Sequence, residues 1–173
     1  IFAVGFLDYS HENGNIKLKG RGSGFFQKGF LNHKASSIER GNTLWVSGGS
    51  GVFRKDIFTK LGGLSNIFAP FYWEDIDLSF RAWQQGYICI FEPLSIVDHY
   101  HEQGAILKSN NSNFIRTTSY KNQFIFFWKN VHDLKQNVLH IVWMPYHFSR
   151  AFFKSDYEFL LGFLYAIAKI PNL

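Results

Sequence analysis

The chain has 173 residues, enough for one domain with a real core, and 19% of them are aromatic, including twenty Phe. A formal net charge of +5 points to an anionic partner, whether nucleotide phosphate, membrane surface or nucleic acid, and by itself does not choose among them. No apolar run approaches the ~20 residues that span a bilayer, and the lone Cys89 excludes an internal disulfide and fits a reducing cytoplasm.

The opening residues, IFAVGF, read as a strand already under way over residues 1–9, without Met or a signal-peptide charge pattern, so a fragment of a longer protein is expected. A turn follows at His11 to Asn15. From Lys17 to Arg40 the chain is basic and Gly-rich with no clean period, which predicts a mobile loop with weak strands. Its GRGSG suggests phosphate binding, but no Lys-Ser/Thr follows and no strand and helix flank it, so it reads as loop. Leu44-Trp-Val predicts a short buried strand running into Ser47-Gly-Gly-Ser-Gly, and Val52-Phe53 continues the extended chain. Asp56 is expected to cap a short helix, IFTKL, stopped by Gly62 and Gly63.

The stretch YWEDIDLSFR, residues 72–81, sets three carboxylates within four residues behind three consecutive aromatics. Ile76, Phe80 and Trp83 recur at i, i+4 and i+7, one face of a helix from about Glu74 to Gln85 closed by Gly86. Acidic residues suit the positive end of a helix dipole, and Asp77 with Arg81, four apart, predicts an ordinary surface ion pair. Glu74 and Asp75 differ, because neighbouring aromatics can exclude water and raise a carboxylate pKa; they are the candidate catalytic pair.

A strand over Tyr87 to Phe91, with Cys89 as a buried structural thiol, then a break at Pro93 and an extended run from Ser95 to His101 follow. His99 and His101, two apart in that run, point to one side; they can hold one divalent metal beside Glu102, or one is a core histidine bonded to a carbonyl. Ser112 is expected to cap a helix over 113–130 with the stripe Tyr120, Phe124, Phe127 and Val131. Helices around Leu134 to Trp143 and Asp156 to Ile170 close the chain. Strands alternating with helices, then helices alone, predict an α/β layer followed by a helical tail.

SGGSGVFRKDIFTKLGGL, YWEDIDLSFRAWQQGY and FEPLSIVDHYHE, in that order, resemble the second half of a family 2 glycosyltransferase with the GT-A fold. The likeness is strong over residues 44–102 and weaker in the tail, where YKNQFIFFWKN is similar to an Asn-containing helix of bacterial members. It implies residues 1–111 as the C-terminal half of a GT-A catalytic domain and 112–173 as a helical tail. It implies transfer of a hexosyl or deoxyhexosyl group, with inversion, from a nucleotide-diphosphate sugar to a hydroxyl of a saccharide or lipid-linked acceptor in polysaccharide or glycolipid synthesis. Asp75 would take the acceptor proton, as a hydroxyl is a poor nucleophile at neutral pH, with Glu74 contacting the acceptor or orienting Asp75. The resemblance places Gly48 and Gly49 beside the donor sugar or acceptor, and His99 first and His101 second at the metal, Mg or Mn, or at the diphosphate. Trp73 either stacks on a sugar ring or packs in the core. Where relatives often have Ser or Thr after the histidine this chain has Gln103-Gly104, a departure at the position of the family's phosphate contact.

The nucleotide-binding half of that family, with its metal-binding Asp-x-Asp, precedes the part matched here. Asp75-Ile76-Asp77 has the spelling but opens a helix instead of ending a strand, so the fragment alone is expected to be inactive. A non-catalytic carbohydrate-binding module is the alternative; nucleic acid is not an expected partner, as no RNA-binding signature is present. Aromatics mixed with Arg150, Lys154 and Lys169 in the tail suggest peripheral contact with the inner, cytoplasmic face of a membrane, though such stripes also pack in cores.

Overall fold

The computed structural model describes residues 1–12, 14–100 and 110–172. Two compact units interleave along the chain: Ile1–Gly24, His33–Ser65 and Glu74–Ser109 form the first, and Phe25–Asn32, Asn66–Trp73 and Asn110–Leu173 the second. Where the sequence suggests one cut between 111 and 112, packing also assigns two earlier segments to the unit carrying the tail.

In the first unit, strand β1 (Ala3–Glu12) is the spine of a five-stranded sheet. It pairs antiparallel with β2 (Asn15–Lys19) and β6 (Gly51–Phe53) and parallel with β7 (Cys89–Tyr100); β5 (Gly41–Asn42) lies antiparallel on β7. The predicted break at Pro93 is instead an irregularity inside one strand. Glu92 pairs with Phe6 but Ile96 with Leu7, so Pro93, Leu94 and Ser95 fall out of register. A proline has no N–H to give a ladder and is tolerated at such a bulge. Downstream the new register sets His99 opposite Ser10. Helices α1 (Lys55–Lys60) and α2 (Glu74–Gln84) supply Ile57, Leu78 and Ala82, and Leu61 follows α1, to a core with Phe2, Ala3, Val46 and Cys89.

Four local expectations change. The basic Gly-rich segment is ordered as β2, β3 (Gly22–Gln27) and β4 (Phe30–Ala35), the last two pairing through a Lys28-Gly29 turn with φ of 49° and 76°. Most of β2 is exposed, so no buried face imposed a period of two on its sequence. Leu44-Trp-Val is not a strand: Leu44 N–H donates to the Gly22 carbonyl at 2.8 Å, but the Trp45 carbonyl accepts from Thr43 Oγ1 and Val46 N–H donates to Ser79 Oγ, side-chain bonds where a ladder would continue. Asp56 does not cap α1; Arg54 holds that position, and Asp56 binds its guanidinium at 2.9 and 2.5 Å. Asp77 and Arg81 are not a surface pair. Asp77 is 0% exposed, its carboxylate meets Arg81 at 2.8 Å, and the same guanidinium donates to the carbonyls of Leu61 and Gly63. Arg81 thus ties α2 to the left-handed turn at Gly62 and Gly63 that ends α1.

In the second unit, α3 (Ser112–Asn130) is capped by Asn111, whose side chain accepts from Phe114 N at 2.8 Å, one residue ahead of the predicted Ser112. Buried residues surround it, from Thr117 and Lys121 to Phe124, Ile125, Phe126 and Phe127, so a single stripe under-describes it. Helix α4 (Leu134–Phe153), capped by Asp133, continues through Pro145 past its predicted end near Trp143, and α5 (Tyr157–Ile167) follows. Close approach of α3 and α5 depends on Gly162, where a Cβ would stand 2.7 Å from Tyr120 Cβ. His140 of α4 is buried and fully engaged: Trp128 Nε1 donates to its Nε2 at 3.1 Å, its Nδ1 bonds the Gly29 carbonyl at 2.7 Å, and its ring stacks on Phe127.

Candidate active site

Ser47 to Ser50 form a tight turn ahead of β6, closed by Ser50 N–H on the Ser47 carbonyl at 3.2 Å. Glycine is needed at its exit, since a Cβ on Gly51 would lie 2.2 Å from Val46 Cγ1 and 2.8 Å from the Val4 carbonyl. Two candidate groups of the first unit meet this turn from different elements.

The first is the acid pair in the opening turn of α2. Asp75 Oδ1 accepts from Ile76 N–H at 2.8 Å, and the Gly48 backbone N–H also favours its ionised form. Burial nevertheless dominates and, with the neighbouring Glu74 charge second, pushes the Asp75 carboxyl up to about 6. Glu74 is likewise raised by burial, and its Oε2 is a buried acceptor with no donor among the described residues. Such an atom is costly to leave unpaired and is ready for a ligand hydroxyl.

The second is His99, placed by the shifted register of β7. Asp8 of β1, 6% exposed, bonds His99 Nδ1 through Oδ2 at 3.1 Å. Asp8 Oδ1 is buried with no donor among the described residues. His99 Cε1 would lie 3.7 Å from a Cβ on Gly49. The turn therefore brings Gly48 against Asp75 and Gly49 against His99. A cavity of about 370 Å³ opens beside it, lined by Asp8, Lys19, Trp45, Ser47, Ser50 and His99 among others; Asp75 is not on its wall. Gly20 and Gly22 of GRGSG serve packing here. A Cβ on Gly22 would strike the Trp45 ring at 2.3 Å, and one on Gly20 the Ser37 carbonyl at 2.4 Å.

Of the two roles open to Trp73, the structure shows core packing: in the second unit it is 4% exposed against Phe126, with ring centroids 5.0 Å apart, and has no face to offer a sugar. His101 lies outside the described residues, as does Glu102. Among the described residues no three His, Cys, Asp or Glu side chains gather where they could hold a metal. The expected Mg or Mn centre is therefore not built by the described residues.

Sequence reasoning passed over Asp8 and Asn122. Asp8 left a signal, a carboxylate inside the apolar strand AVGFLDY, where burial demands a partner. Asn122 left little. Its Nδ2 reaches the carbonyls of Phe68, Phe71 and Tyr72 at 2.6, 2.8 and 2.9 Å, and Lys121 Nζ bonds that of Ala69 at 2.7 Å. This holds the segment whose last two residues, Tyr72 and Trp73, are left-handed at φ 71° and 74°. Side-chain-bearing residues rarely pair in that conformation without such restraint.

No protein-family model matches the sequence, and no curated protein does. Among solved structures the chain is similar to GalNAc-T7 with UDP, GalNAc and Mn2+, at 16% identity and a TM-score of 0.50 over 73% of this chain. It spans 26% of that protein's length. At this identity the likeness is one of fold: the curled sheet with its helices is part of a GT-A-like glycosyltransferase fold, as the motifs implied.

Proposed function

We propose that the chain is the acceptor side of an inverting sugar transferase of the family 2 type, in which Asp75 is the general base. The observation that carries this is the state of Asp75, a half-buried carboxyl raised to about 6 beside Glu74 and against the Gly48 N–H. A base works best when its pKa lies near the working pH, so that it is ionised yet still avid for a proton. The acceptor hydroxyl gives its proton to Asp75 while its oxygen bonds the anomeric carbon. The bond from that carbon to the nucleotide diphosphate breaks on the opposite face, and its electron pair leaves with the diphosphate oxygen. Glu74 Oε2 accepts a hydrogen bond from a second hydroxyl of the acceptor, which orients it. In this reading the cavity lined by Asp8, Trp45 and His99 holds part of the donor. UDP and GalNAc in the similar structure support a nucleotide sugar as donor. Mn2+ in that structure supports a divalent metal in the reaction, but the described residues do not complete a site for one here.

Asp75→Asn keeps the shape and cannot take the proton. In the full-length protein, turnover should fall by a factor of at least about 100, with nucleotide-sugar affinity changed little. Turnover within a few-fold of the parent would remove Asp75 as base. Retained saccharide binding without measurable transfer in the parent would instead favour a carbohydrate-binding module.

A further inference from the structure

The solvent face of α4 is apolar where a surface helix carries charge. Leu134, Val138, Ile141, Val142, Phe152 and Phe153 are all exposed, with Ile141 at 70%, Phe152 at 75% and Phe153 at 83%. At 100° per residue, Leu134, Val138, Ile141, Pro145 and Phe152 fall within about 60° of one another, in a stripe along a helix roughly 30 Å long. No charged residue falls in that stripe; Lys135 stands on its flank with Val142 and Phe153, and Arg150 lies beyond them.

Cations gather on that side of it. Lys28 Nζ bonds the Tyr146 hydroxyl at 2.9 Å and lies 4.3 Å over its ring. Arg150 and Lys154 are close enough to the same hydroxyl to add to that field, and together the three cations hold the phenol below its ordinary value. The charge of the whole chain is divided in the same sense. The second unit has eight Lys and Arg against three Asp and Glu, and the first has ten against ten, so the entire +5 belongs to the unit that bears α4. Its three carboxylates are occupied: Asp133 caps α4, and Asp156 and Glu158 both meet Arg116.

We propose that α4 lies in the plane of an anionic bilayer surface, its Leu134, Ile141 and Phe152 stripe in the acyl boundary and Lys28, Arg150 and Lys154 against lipid phosphates. An in-plane amphipathic helix needs an apolar face and a basic border: α4 supplies the face together with Lys135 and Arg150, and Lys154 at its C-cap and Lys28 of the β3–β4 turn extend the border. Among the described residues no helix is long and apolar enough to cross a membrane, so the contact is peripheral. A second copy of the chain is the poorer occupant, because pairing these faces would set one basic border against another.

The test is flotation of the chain with vesicles of phosphatidylcholine alone and of phosphatidylcholine mixed with phosphatidylglycerol. Binding is expected to the mixed vesicles at low salt and to decline as salt rises. Arg150→Gln with Lys154→Gln should weaken it about fivefold per charge removed. Ile141→Gln with Phe152→Gln, both at exposed positions that do not hold the fold, should weaken it about tenfold or more. The proposal is overturned by equal binding to the two vesicle types, by undiminished binding of the Ile141 and Phe152 variant with an unchanged circular dichroism spectrum, or by a dimer that this variant dissociates without losing vesicle binding.

Discussion

Asp75 must be ionised to accept a proton, yet its surroundings favour the neutral acid. Its pKa rises from 3.8 to about 6 because burial and the Glu74 charge both oppose ionisation. The folded protein therefore binds this proton more tightly than the unfolded chain. Stability falls as pH rises between those two values and is lower by up to about 3 kcal/mol above them, since a tenfold change in proton affinity is worth about 1.4 kcal/mol. Asp75→Asn, which carries no charge at any pH, should then be more stable than the parent near neutrality by up to that amount, with the gain vanishing below pH ~4. Urea unfolding of both proteins across this range measures it; a difference that does not vary with pH would mean the carboxylate is not its source. The acid limb of activity should lie near 6 for the same reason. The acid pair was legible because three carboxylates behind three aromatics exceed what a helix start requires. The neighbour supposed to dry the site was misjudged in part, since Trp73 faces Phe126.

At the scale of elements, polar residues pointing inward decide geometry. Helix α3 presents Lys121 and Asn122 to the carbonyls of the segment 68–72, and α2 presents Arg81 to those of Leu61 and Gly63. Asn122→Leu would leave three carbonyls without their donor, at a cost of about 1–3 kcal/mol for a buried acceptor and offset only in part by added apolar contact. Loss of about 3 kcal/mol in urea unfolding is expected. A change below ~0.5 kcal/mol would show that water replaces the amide. Nothing in YKNQFIFFWKN announces this role, because the acceptors lie some fifty residues earlier in the chain.

For the whole molecule, the two units divide the labour that the sequence mixes: the neutral one holds the acid pair, the histidine and the cavity, and the basic one holds the aromatic tail. Cys89 reports on the first. It is 0% exposed, and burial pushes its thiol up to about 11, so it is neither accessible nor ionised near neutral pH. A thiol reagent should react with it only as fast as the first unit opens, and at the rate of a free thiol once urea has unfolded the chain. Rapid modification in native buffer would contradict the burial.

By itself the sequence determined the strand-then-helix order, the helix carrying Glu74 and Asp75, the Gly62-Gly63 stop and the sugar-transferase-like fold. These follow from local period, glycine stereochemistry and motif order, each written within a few neighbouring residues. Only the tertiary structure decided that Asp8 would hold His99, that Asp77 would be buried against a half-buried Arg81, that Asn122 would restrain a distant loop, and that one face of α4 would remain uncovered. Burial and hydrogen-bond partnership are properties of elements brought together from far apart in the chain, and a pattern read along a single element does not contain them.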